Sequence, residues 1–108
     1  MPLRAVLQTL FVIGVLNFVA CMAVALMIGG DALNGGVEDG RYYLSNHGRL
    51  TEVSAGLYSY SLVHTVSVLI TSAIAVASAG ALHLMDWLKQ RALHRSIDAT
   101  LADMRRSR

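Results

Sequence analysis

A single cysteine, Cys21, is the whole thiol content of the chain, so neither a disulfide framework nor a CxxC metal or redox pair can be built from it. Charge is scarce along most of the sequence. No residue between Arg4 and Asp31 is charged, and between Glu52 and Asp86 only His64 and His83 could become so. The glycine pairs Gly29-Gly30 and Gly35-Gly36 lack the GxxxxGK[ST] pattern of a phosphate loop. No Ser/His/Asp or Cys/His arrangement can be placed with any geometry, so an enzyme working alone is not expected, and no cofactor is. Neither glycine nor proline occurs from Ala81 to Arg108, so nothing there stops a helix. No internal repeat is detectable.

What the chain does have is apolar length. Its 108 residues bound it to one domain, and 55% hydrophobic content with a mean hydropathy of +0.51 is high for a soluble globule. Both uncharged runs exceed the roughly 20 apolar residues that cross a hydrocarbon core about 30 Å thick. In hydrocarbon every backbone amide needs an internal partner, so such runs must be helices; two strands could not close a barrel. The first helix is expected from about Leu3 to Ile28, stopping at Gly29-Gly30-Asp31, and the second from about Leu57 to at least Met85. A short basic start and the small-x-small Ala23-Val24-Ala25 resemble a cleavable signal. The run continues through Leu26-Met27-Ile28, longer than a usual signal core, so retention as an anchor is expected. Phe18-Val19-Ala20-Cys21 is a poor lipoprotein box, because the residues after Cys21 stay apolar.

Flanking bases set the orientation. Arg4 precedes the first span, and Lys89, Arg91, Arg95, Arg105, Arg106 and Arg108 follow the second, against Arg41 and Arg49 in the connecting loop. The positive-inside rule then puts both termini in the cytoplasm and the loop outside, facing the periplasm if the membrane is a bacterial inner membrane. The expected fold is an all-α membrane protein: a two-span antiparallel transmembrane hairpin with a small extracytoplasmic β-hairpin loop and a cytoplasmic helical tail. Its parts are a cytoplasmic N-terminus (1–4), the first span (5–29), the loop (30–57), the second span (58–85) and a basic amphipathic helix (86–108). Tyr58 and Tyr60 at the outer end and Trp87 at the inner end suit the membrane interface.

The loop is not a linker. Arg41–Ser45 and Arg49–Val53 are rich in strand formers, and Asn46-His47-Gly48 between them suits a three-residue hairpin turn. Asn34-Gly35-Gly36 and Asp39-Gly40 mark further tight turns. Two strands alone are marginal in water, so support from the membrane surface, a second copy or a partner is expected.

Small residues recur every four positions on both spans: Asn17, Cys21, Ala25 and Gly29 on the first, Ser67, Thr71, Ala75 and Ala79 on the second. Such ladders let helices approach closely where lipid offers no hydrophobic drive. Asn17 lies near the midplane, level with Thr71 and Ser72, and is expected to hydrogen-bond across the seam. His64 and His83 are ionisable groups inside a span and therefore weak candidates for a haem or other cofactor. They stand 19 residues apart, roughly 28 Å of helical rise, so one would lie near each interface and no single metal could join them. Each would need a histidine from a second copy or partner to hold a haem. Otherwise both are interfacial hydrogen-bonders. His47 with Asp39 or Glu52 is a weak metal constellation, since ligand spacing is absent.

Beyond Met85, the residues Leu93, Ile97, Leu101 and Met104 recur at helical spacing while Arg91, Arg95 and Asp98 lie elsewhere on the wheel. This face could meet anionic lipid, a cytosolic partner or its own copy; Asp86, Asp98 and Asp103 dilute the charge that nucleic acid would need. The reading that follows is a non-catalytic accessory or assembly subunit, partnered by the lipid bilayer and by another membrane protein or a second copy. Two alternatives stand beside it. Two spans, both ends inside and a basic tail look like the two-span class of phage holins, a resemblance of architecture that covers no motif and implies a pore. The third reading is a haem- or quinone-binding membrane anchor.

Overall fold

The computed structural model describes residues 2–108, in the order α1 (Leu3–Ile28), β1 (Asp31–Glu38), β2 (Arg41–Asn46), β3 (Arg49–Val53) and α2 (Ala55–Arg106). The chain is mostly helical with one small sheet, and both helices are long and apolar enough to cross a membrane. α1 ends where Gly29 takes a left-handed conformation, φ 99°, and returns its N–H to the carbonyl of Ala25, a helix stop that glycine adopts without a Cβ penalty. α2 starts at Ser54, whose hydroxyl accepts from the Leu57 amide at 3.2 Å, satisfying one of the orphan donors of the first turn. Arg105 and Arg106 sit in its last turn, where positive charge meets the negative end of the helix dipole.

α2 is one unbroken helix of 52 residues, about 78 Å long at 1.5 Å per residue. The basic tail is thus a rigid continuation of the second apolar run, and the molecule extends over 86 Å. Every residue from Lys89 onward is exposed.

The loop differs from expectation in two respects. Its sheet has three antiparallel strands in the order β1-β2-β3, not the two of a lone hairpin. Asn34-Gly35-Gly36 is not a turn but part of an irregular stretch inside β1: between the pairs Asp31–Ser45 and Gly36–Tyr43, the four residues from Ala32 to Gly35 face Leu44 alone. The surplus bulges out and folds back, with the Asp31 carboxylate accepting from the backbone and side-chain amides of Asn34. The second difference is the turn between β2 and β3. Asn46 pairs with Arg49, leaving two turn residues, His47 and Gly48, both with positive φ. Asp39 and Gly40 join β1 to β2 in the same manner. Two left-handed residues give a turn whose twist matches that of paired strands, so both connections close tightly.

The sheet also finds its support within the chain. Leu44 is fully buried and Ala32 nearly so, the Ala32 amide donates to Ser61 Oγ of α2 at 3.0 Å, and the Tyr42 ring meets Tyr58 at 5.3 Å. The third strand and the first turns of α2 together supply the cover that a two-stranded hairpin lacks. Gly30 makes the corner from α1 into the sheet: its φ is 131°, and a Cβ there would run into the Ser45 carbonyl.

Between the helices runs a narrow seam. On α2 its centre is Ser61, Val68 and Ala75, all buried and seven residues apart; on α1 it is Gly14, the one buried residue, flanked by half-buried Leu7 and Cys21 at the same spacing. Steps of seven average 3.5 residues per turn, the repeat of helices that wrap left-handedly about each other. The remaining surface is apolar and open, as at Phe11, Phe18, Val63 and Val76.

Candidate functional site

Five polar side chains of the two helices join in one network. Asn17 Nδ2 reaches Ser67 Oγ at 3.2 Å and Thr71 Oγ1 at 3.1 Å. Its Oδ1 lies 3.2 Å from His64 Nε2, and His64 Nδ1 lies 2.9 Å from the Tyr60 hydroxyl. All proton positions follow from the far end of the chain. Ser67 donates its hydroxyl proton to the His64 carbonyl and Thr71 donates its own to the Val68 carbonyl, so each can only accept from Asn17. The amide nitrogen of Asn17 must therefore face the hydroxyls and its oxygen must face the histidine. An amide oxygen only accepts, so His64 Nε2 carries a proton, and in the neutral ring Nδ1 then accepts from Tyr60. The result is a one-way relay of hydrogen bonds from Tyr60 through His64 and Asn17 to two backbone carbonyls, with every member satisfied. Such a network favours one arrangement of the two helices, because a shift of either would leave several of these polar groups without partners.

Helix geometry explains the gathering. Tyr60, His64, Ser67 and Thr71 are spaced by four, three and four residues and so share one face of α2. Asn17 is the residue of α1 that meets this face, and Gly14, one turn away, is what lets it come close. A Cβ built on Gly14 would lie 2.6 Å from Ala75 Cβ and 2.7 Å from the Thr71 carbonyl oxygen, inside van der Waals contact. Gly14 was not singled out on sequence grounds. Its signal was available, since it is the sole glycine between Leu3 and Ile28 and stands three residues before the sole asparagine of that run.

The other candidates divide. Cys21, Ala25, Gly29, Ser67, Thr71 and Ala79 are half-buried and Ala75 is buried, but the packed stripe alternates steps of three and four. Gly29 therefore packs on Thr51 of β3 rather than on α2. His64 faces α1 and hydrogen-bonds with Asn17. His83 is exposed. Tyr58 lies against Tyr42 and Tyr60 against His64, while Trp87 is exposed with the Arg91 guanidinium 4.2 Å above its ring, a cation–π contact. His47 sits exposed on its turn, and Glu52 is turned to Arg41 at 3.9 Å. Among the described residues no three His, Cys, Asp or Glu side chains gather as a metal ion would require.

Arg4 closes the tail end of the hairpin. Its guanidinium grips Asp86 through two bonds, 2.7 Å and 3.2 Å, a paired geometry favoured by arginine and carboxylate. The hydrogen bond from Arg4 is the main reason the Asp86 carboxyl is held below the usual carboxylate range; desolvation opposes it, and the charges of Arg4, Lys89 and His83 reinforce it. A carboxyl whose folded pKa is depressed stabilises the fold above its unfolded pKa, and that contribution disappears as pH falls through the folded value. Acidification below the ordinary Asp pKa of about 3.9 is therefore expected to part this end of the hairpin. Distances between spin labels at Leu3 and Lys89 in a Cys21→Ser background should lengthen over that range. In Arg4→Gln the distance should already be long at neutral pH and should not respond to acid.

No known protein family, curated protein or solved structure matches this chain.

Proposed function

We propose that the chain is a two-span membrane hairpin of a bacterial inner membrane, with both termini cytoplasmic, serving as a non-catalytic accessory or assembly subunit of a larger membrane complex. The observation that carries this reading is the contrast between seam and exterior. Small and polar residues such as Gly14, Asn17, Ser67, Thr71 and Ala75 stand at the seam, and large apolar side chains lie open elsewhere on both helices, among them Leu16, Val19, Leu26, Leu69 and Val76. That exterior suits lipid or a neighbouring apolar helix. Orientation rests on the excess of bases beside the N-terminus and from Lys89 onward, in the last part of α2 and just past it, relative to the sheet.

An assembly role is supported by what lies beyond the apolar runs. At one end a three-stranded sheet is anchored to the top of α2 by the Ala32–Ser61 bond and the Tyr42–Tyr58 contact. At the other a rigid helix projects about 30 Å past Asp86, with Leu93, Ile97, Leu101 and Met104 about half exposed. Two structured platforms held at a fixed separation by a rigid hairpin suit recognition on both sides of a membrane.

Isolation of the tagged chain from its native membrane in mild detergent, followed by mass spectrometry, tests the role. A larger complex recovered in fixed stoichiometry is the expected result. A chain recovered alone whose expression depolarises cells would replace this reading with a pore, and a Soret band in the purified protein would replace it with a haem anchor.

A further inference from the structure

Where α1 meets the sheet there is an open groove of about 500 Å³. One wall is apolar, formed by Met22, Ala25 and Leu26 of the last turns of α1, and the opposite wall is polar, formed by Asp31, Asn46, His47 and their neighbours. Met22 and Leu26 are 49% and 71% exposed, so the apolar wall is uncovered within the chain. Met22 stands six residues before Ile28, about 9 Å of helical rise. On the membrane reading above, which this inference requires, the groove runs from the acyl region of the outer leaflet up to the headgroup level.

Its charge is one-sided. Asp31 is the one carboxylate in the lining, and neither lysine nor arginine contributes to it. The carboxylate is held in place by Asn34, whose backbone N–H donates to Oδ1 and whose side-chain amide donates to both oxygens. A carboxylate has about four acceptor sites, so capacity remains for a further donor. An ammonium group fits that place, whereas an anionic headgroup without an amine would stand beside the Asp31 carboxylate with no cation of its own to offset it. Asn46 and His47 offer donors to a phosphodiester beside it.

We propose that the groove holds one amine-bearing glycerophospholipid of the outer leaflet, with its ammonium on Asp31 and an acyl chain along Met22 and Leu26. The apolar wall is what assigns the site to a lipid rather than to a soluble amine. The lipid would tie the sheet to the end of α1 by filling the gap between them.

The test uses the full-length chain, delipidated in detergent and titrated in native mass spectrometry with phosphatidylethanolamine or phosphatidylglycerol of identical acyl chains. Retention of the ethanolamine lipid is expected to be about tenfold stronger. Asp31→Asn keeps an acceptor for Asn34 but removes the charge, and should bring the two lipids level. Leu26→Trp leaves Asp31 untouched while filling the apolar wall, and should weaken both. Glycerophosphoethanolamine, which has the headgroup without chains, should not displace the lipid at the same concentration. Equal retention of the two lipids by the unaltered chain, or displacement by the soluble headgroup, would overturn the assignment. Carbonate washing of the source membranes separates the two failures: a chain that stays in the membrane yet shows no headgroup preference sinks this inference and leaves the membrane reading standing.

Discussion

Gly14→Leu should separate the two helices. The Cβ alone would stand 2.6 Å from Ala75 Cβ and 2.7 Å from the Thr71 carbonyl oxygen, whereas carbon atoms rest at about 3.5–4.0 Å. One of the two obstacles is backbone and cannot rotate aside, so α1 must move outward by roughly 1 Å or more before a larger side chain is even considered. Overpacking of this kind costs about 1–3 kcal/mol and occasionally more. Gly14→Ala recovers part of that cost, since alanine is about 1 kcal/mol the better helix former, and a modest net loss is expected of it. Leucine keeps the same blocked Cβ and adds three further carbons beside it, and the loss should exceed about 3 kcal/mol. The control is Gly80, on α2, where a Cβ meets nothing within 4 Å; Gly80→Leu should leave stability unchanged or raise it. Reversible unfolding in mixed detergent micelles reads all three variants.

Asn17→Leu is the second large effect. Leucine has the same number and branching of side-chain heavy atoms, so the main loss is one of hydrogen bonds. Asn17 accepts from His64 Nε2 and donates to Ser67 and Thr71, and every one of these bonds crosses the seam. Single interhelical bonds in a membrane average about 0.6 kcal/mol and reach about 1.7, while an orphaned donor such as the His64 N–H costs about 1–3 kcal/mol. The two hydroxyls keep their own backbone acceptors, which limits the damage on that side. A total near 2 kcal/mol is expected, with His64→Phe costing less and Ser67→Ala least. A ranking in which Ser67→Ala equals Asn17→Leu would mean that the amide is not the hub of the network.

The residues that were legible beforehand were those whose chemistry is local. Asn17 stood out because an amide in the middle of an apolar run has few uses other than pairing, and its level opposite Thr71 follows from counting residues along two antiparallel helices. The ends of α1 were readable from Gly29-Gly30, and the strand residues of β2 and β3 from their composition. What escaped was set by tertiary contact. Asp31–Glu38 contains Gly35-Gly36 and looks like turns, yet it forms a strand because β2 is available beside it and the bulge absorbs the surplus. A repeat of four suggested a ladder from Asn17 to Gly29. A helix turns 100° per residue, so steps of four drift around its surface, and the packed stripe follows steps of seven through Gly14 and Cys21 instead. Likewise the place of His64 in the sequence gives its level along α2 but not its partner, the Asn17 oxygen on the other helix.

Seam and exterior have meaning together only if the hairpin sits in a bilayer with both ends on one side. Single cysteines at His47 and Ser107, in a Cys21→Ser background, can be challenged with a membrane-impermeant maleimide in intact spheroplasts. The account predicts rapid labelling at position 47 and none at position 107 until the membrane is permeabilised. Labelling of both positions before permeabilisation, or recovery of the chain in the soluble fraction, would contradict it.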